Sequence, residues 1–137
     1  MKLTPKARAD LRMKFGGRCA YCGCELPEKG WHADHVKPVC RELKFARDKN
    51  DRTVMIATGK LYRPENDTAG NLFPTCRACN IDKGACELEA WREYLQSRIV
   101  DGLRRNSSTF RHAERFGRVV LTQDPLVFWF ERFAGVQ

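Results

Sequence analysis

The sequence contains no run of about eighteen apolar residues, so no segment of it reads as a membrane span. Its first residues carry no hydrophobic stretch, so it also reads as lacking a secretory signal. It has no internal repeat and no low-complexity tract. Acidic residues are in short supply. Seventeen Asp and Glu face 25 Lys and Arg, leaving a net charge of +8 and an isoelectric point near 9.3. Such a balance favours a polyanionic partner, and nucleic acid is the first candidate.

Cysteine, by contrast, is plentiful, with seven in 137 residues. In a chain without a secretory signal, that number indicates a reducing, cytoplasmic compartment and metal ligation rather than disulfides. The length indicates one domain over residues 1–137, with a core burying about two-thirds of the unfolded surface.

Four of the cysteines form two C-x-x-C pairs, Cys19/Cys22 and Cys76/Cys79, separated by 53 residues. Each pair makes a tight turn presenting two thiolates from one side. Together they offer four sulfurs at about 2.3 Å to one zinc ion. Four thiolates leave no open coordination position, so such a site is structural. Cys24 could take the place of Cys22, at a poorer spacing. Cys40 and Cys86 read as small buried apolar residues.

Thr4-Pro5 opens a helix and Gly16-Gly17 closes it, which predicts a basic amphipathic helix over 5–15. Residues 18–30 read as a cysteine-bearing turn and a loop. Trp31 to Val39 reads as a short strand ended by Pro38. In the insert that follows, Thr53 to Ile56 and Leu61-Tyr62 are expected to pair as a hairpin around Thr58-Gly59-Lys60. Leu88, Trp91, Leu95, Ile99 and Leu103 recur at helical steps. Ser107-Ser108 caps a further helix ending near Gly117. Val119 to Leu121 reads as a strand. The dense apolar segment Leu126 to Phe130 has no definite type and is expected to complete the core.

Asp34 and His35 are the residues that suit hydrolytic chemistry. Histidine titrates near neutrality and can activate water, and a carboxylate suits a hard divalent ion. Neighbours on a strand point to opposite faces. The two therefore share a site only if the strand bends, or if His35 reaches the phosphate from beyond the metal.

Three stretches occur in a telling order: Gly17-Arg18-Cys19-Ala20-Tyr21-Cys22, then His32-Ala33-Asp34-His35-Val36-Lys37-Pro38, then Asn71-Leu72-Phe73-Pro74-Thr75-Cys76-Arg77-Ala78-Cys79-Asn80-Ile81-Asp82-Lys83-Gly84. Over residues 16–95 this arrangement resembles the HNH endonuclease family, also called the His-Me finger or ββα-metal fold. The resemblance implies an α+β fold with a ββα-metal core stapled by a four-cysteine zinc site. The N-terminal basic helix, 1–15, and a mostly helical C-terminal extension, 96–137, lie outside it. It implies that His35 is the general base and that Asp34 binds the catalytic divalent ion, Mg²⁺ or Mn²⁺. Asn71 would brace the loop holding the base. Asn80 stands where the family's last histidine would be, giving an HNN-type variant that still offers an oxygen ligand.

His32, Lys37, Arg77 and Lys83 are placed as nucleic-acid contacts, with packing beside Trp31 the equal alternative for His32. His112 lies outside the motif and reads as a surface residue. Residues 41–63 carry seven Lys or Arg, which serve either as a solvated loop or as a phosphate-tracking surface.

The expected activity is metal-dependent cleavage of duplex DNA by a monomer or homodimer, leaving 5′-phosphate and 3′-hydroxyl ends. Alternatives are a zinc-stapled nucleic-acid-binding module without chemistry, or a nuclease acting on RNA. Compact proteins of the family often belong to phages or other mobile elements.

Overall fold

The computed structural model describes residues 1–136. The fold is α+β, built from two small antiparallel sheets and a set of helices. No helix among the described residues is long and apolar enough to cross a membrane.

Helix α1, Pro5–Met13, begins as its sequence dictates: the Thr4 hydroxyl accepts from the Ala7 N–H, and Pro5 occupies the first turn. Two of its three cations, Arg8 and Arg12, are spent inside the molecule, while Lys6 stays exposed. Arg8 lies 4.1 Å from the Trp31 ring centroid and donates to the Trp31 carbonyl, while Arg12 donates to the Leu26 and Pro27 carbonyls. Lys14 donates to the Leu72 carbonyl, and burial pulls its pKa down. The helix is therefore a bracket over the loop that follows the first cysteine turn.

Strand β1, His32–His35, is shorter than the sequence predicts. Its partner, β4, Leu72–Thr75, lies far along the chain and runs antiparallel, with His32 opposite Thr75 and His35 opposite Leu72. Helix α2, Arg77–Lys83, follows β4 at once, with Cys76 as its N-cap.

Between β1 and β4 the chain makes a two-stranded ribbon, β2 (Arg41–Arg47) and β3 (Thr53–Leu61). The hairpin expected around Thr58-Gly59-Lys60 is therefore a misplacement. The turn lies at 48–52, where the Asp48 carboxylate accepts from the Asn50 and Arg52 N–H groups and Asp51 takes φ +58. Thr58, Gly59 and Lys60 instead form a bulge in β3, where the register jumps between Arg41 and Leu43. Gly59 sits at φ +91, which only glycine adopts without strain. Glu42 fills the space opposite, accepting from Thr58, Lys60 and Tyr62.

After α2, helix α3 (Leu88–Glu93) runs through a π turn (Tyr94–Arg98) into α4 (Ile99–Asn106). Ser107 then caps α5, Ser108–Arg115, its hydroxyl accepting from the Phe110 N–H. The strand expected at Val119 to Leu121 does not form. That segment finds no sheet edge to pair with, and Val120 stays 86% exposed. Leu126 to Phe128 has no regular secondary structure and leads into α6, Trp129–Val136.

The core joins the first cysteine turn to the C-terminal segment: Cys19, Tyr21, Leu26, Trp31, Trp91 and Phe128 are buried together. Phe128 stacks on Trp91 at 5.4 Å, and Tyr21 meets both edge-on. Trp129 and Phe130 donate their backbone N–H groups to the Tyr21 and Ala20 carbonyls. Arg92 fastens α3 to α6 by pairing with Glu131 while also holding Glu89.

A four-cysteine cluster beside a cavity at a strand end

The two cysteine turns meet. The sulfurs of Cys19, Cys22, Cys76 and Cys79 all lie within 4.8 Å of one another, and Cys22 and Cys76 are 3.9 Å apart. Four sulfurs at about 2.3 Å from a tetrahedral centre would be about 3.8 Å from each other, so the cluster can hold a structural metal ion such as zinc. The fold brings the turns together through local geometry. The Ala20 N–H donates to the Pro74 carbonyl, tying the first turn to β4 just ahead of Cys76. Gly23 reverses the chain at φ +77 against Trp129, where a Cβ would meet the indole at 3.2 Å.

The thiols perturb one another. The hydrogen bond with Cys79 holds the Cys19 thiol down at about 4, while the same contact and burial drive Cys79 upward. Burial raises Cys22. Cys24 lies close by, pushed up to about 12 by burial, but the cluster itself comprises the other four. Cys40 is half-buried and Cys86 is exposed, so Cys86 is not the buried residue its sequence suggests. It sits on the exposed segment that links α2 to α3.

A cavity of about 480 Å³ opens along β1, with His32, Asp34, His35 and Asn80, the residue after Cys79, on its walls. Asp34 is 7% exposed. Its Oδ2 accepts from the Tyr21 hydroxyl at 2.6 Å and lies 3.1 Å from Lys83 Nζ. Burial, together with the Asp34 charge, raises the Tyr21 pKa, so the phenol stays a donor. Lys83 also donates to the His35 carbonyl at 2.9 Å.

Lys83 thus corrects a sequence-based placement. It is 1% exposed and faces the interior, because α2 turns it beneath β1 and Asp34 compensates its charge. It is a strut under the cavity and not a surface cation. Lys37 and Arg77 are exposed, His32 is half-buried, and His112 is exposed on α5.

His35 is held from the other side. Its Nε2 lies 2.9 Å from Asp67 Oδ1. The Met1 ammonium and His35 both hold the Asp67 carboxyl below its usual range, so it is ionised at neutral pH. An ionised carboxylate only accepts, so Nε2 carries the proton and Nδ1 of a neutral His35 keeps its lone pair.

Asn71 clasps the chain just past the strand. Its Oδ1 accepts from the Lys37 N–H, and its Nδ2 donates to the carbonyls of Lys37 and Asn66.

Sequence reasoning missed Asp67 and Tyr21. Asp67 is one acid among many in a polar insert, and nothing in its neighbourhood marks it. Tyr21 carried a usable signal: a phenol inside a buried turn needs a hydrogen-bond partner.

No protein-family model matches this chain, and no curated protein or solved structure matches it either.

Proposed function

We propose that this chain is a metal-dependent DNA endonuclease of the HNH type. The observation that carries the reading is the single cavity that gathers Asp34, His35 and Asn80 on a strongly basic chain. The order β1, β4, α2 fits the ββα-metal core, and the adjoining four-thiol cluster fits its zinc staple. One carboxylate oxygen and one amide oxygen are hard donors of the kind magnesium or manganese accepts. Asp34 Oδ1 and the Asn80 carbonyl are the atoms assigned. An ion held there would supply positive charge to the scissile phosphate and its 3′ leaving oxygen.

The chain's own groups do the rest. His35 takes the proton of the attacking water on Nδ1, while Asp67 holds Nε2–H and fixes the ring. Asn71 keeps the backbone after β1 in place. Lys83 and Tyr21 hold Asp34 Oδ2, which leaves the second oxygen to the cavity. A metal bound by the four cysteines would keep α2, and so Asn80, in position.

One observation favours a second reading, a zinc-stapled nucleic-acid-binding module without chemistry. Asp34 already satisfies a buried ammonium, a structural role that needs no catalytic ion.

Incubating supercoiled plasmid with the purified protein and Mg²⁺, Mn²⁺ or chelator separates the two. Nicking is expected with either ion, and His35→Ala is expected to slow it about 10²–10⁴-fold. Nicking by His35→Ala at the wild-type rate removes the assignment. Failure of the wild type under every metal leaves the binding-module reading.

A further inference from the structure

The β2–β3 ribbon leaves an apolar strip uncovered. Residues opposite each other in an antiparallel pair share a face, so Leu43 with Ala57 and Phe45 with Met55 form one apolar strip. Leu43 is 50% exposed, Met55 57% and Phe45 75%. The two strands pack chiefly on each other, so the strip is not part of the core. An apolar face held out on a narrow arm is a liability unless something covers it.

Charge identifies the occupant. Residues 41–61 carry six Lys or Arg against three acids. Arg41, Lys44 and Lys49 form no ion pair among the described residues. A second copy of this chain would bring the same positive charge to the face and be repelled. A polyanion whose interior is apolar would be drawn in on both counts.

The ribbon is also continuous with the cavity, because Leu43 lines the cavity wall beside His35 and Asn80. Phe45 lies two residues farther along the same face. At about 3.4 Å per residue that is about 7 Å, which is two base-pair rises along a duplex.

We propose that the β2–β3 ribbon docks on duplex DNA, with the Phe45–Met55 pair wedged between base pairs about two steps from the phosphate at the cavity. Arg41, on the same face, and Lys49, in the turn at the tip, hold the flanking phosphates. Phe and Met are side chains that enter base steps from the minor groove and kink the duplex toward the other groove. The wedge selects for deformable steps and does not read base edges. This deepens the nuclease reading and rests on it for the position of the cut, but the docking itself requires no cleavage.

The test is fluorescence-anisotropy binding of a 30-base-pair duplex, without added magnesium or manganese, as a function of salt. A 2-aminopurine probe in the duplex reports unstacking. Phe45→Ala with Met55→Ala is expected to weaken binding at least about 10-fold, abolish the 2-aminopurine signal and leave the salt slope unchanged. Arg41→Ala with Lys49→Ala is expected to lower the slope by about two units. Both variants are expected to keep their zinc and melting temperature, since neither pair lies in the core.

Wild-type affinity in the Phe45/Met55 variant overturns the proposal, as does absence of duplex binding by the wild type. A dimer that this variant breaks, with duplex affinity intact, also overturns it and assigns the face to a second copy. Binding without plasmid nicking sinks the nuclease reading and leaves the ribbon standing. Nicking with normal binding by the Phe45/Met55 variant does the reverse.

Discussion

Replacing Lys83 by methionine removes an ammonium while keeping most of the side-chain volume. The lysine side chain is 0% exposed and its partner Asp34 7%, so solvent does not screen the pair. Breaking a buried ion pair from one side typically costs about 3–5 kcal/mol, because the other charge is left behind. Here Asp34 keeps the Tyr21 hydroxyl, which softens the loss, but the His35 carbonyl loses its donor, which adds about 1 kcal/mol. We expect a destabilisation of about 4 kcal/mol. At about 2 cal/mol/K of unfolding entropy per residue over 137 residues, that lowers the melting temperature by about 14 °C.

The assay is thermal and urea unfolding of zinc-saturated protein. Adding Asp34→Asn to Lys83→Met removes the stranded charge and is expected to recover at least about 1.5 kcal/mol. A Lys83→Met protein within about 1 kcal/mol of wild type would refute the argument, because an ammonium shut away from water cannot be that dispensable if it neutralises Asp34.

Two further outcomes concern the cysteine cluster and the Arg92–Glu131 pair. Cys76→Ser is expected to lower bound zinc from one equivalent per chain to less than half, read by a chromogenic chelator, and to lower the melting temperature with it, since Cys76 is both a cluster member and the N-cap of α2. Arg92 holds the Glu131 carboxyl below its usual range. The Glu131 contribution is therefore fully present above the ordinary glutamate value and is lost as pH falls through the lowered one. Melts below pH 4.5 should fall more steeply in wild type than in Glu131→Gln.

The parts of this molecule legible in the sequence are those fixed by short-range chemistry. C-x-x-C spacing makes a turn whatever surrounds it, Thr4-Pro5 starts a helix, and Ser107 caps one. The ribbon's turn was misplaced because two glycine- or Asn/Asp-bearing stretches compete. The one that wins is the one whose carboxylate, Asp48, reaches its own backbone. Lys83 was misread because burial of a lysine depends on Asp34, 49 residues away and across the sheet. Asp67 was invisible for the same reason, since it meets His35 only after the chain returns from the ribbon. Val119 to Leu121 has strand-forming side chains, but a strand needs a neighbour.

The ribbon leaves and rejoins the body at one point. Tyr62 and Arg63 donate backbone N–H groups to Cys40 and Val39, and the Asn66 amide donates to Pro38, so the two legs are stitched together where they emerge. Apart from its base, which lines the cavity beside His35 and Asn80, the arm packs chiefly on itself. Lengthening, shortening or exchanging the arm changes loop closure by only about 0.6 kcal/mol per doubling. The scaffold around β1, β4 and α2 can therefore carry different arms, as one handle accepts different blades.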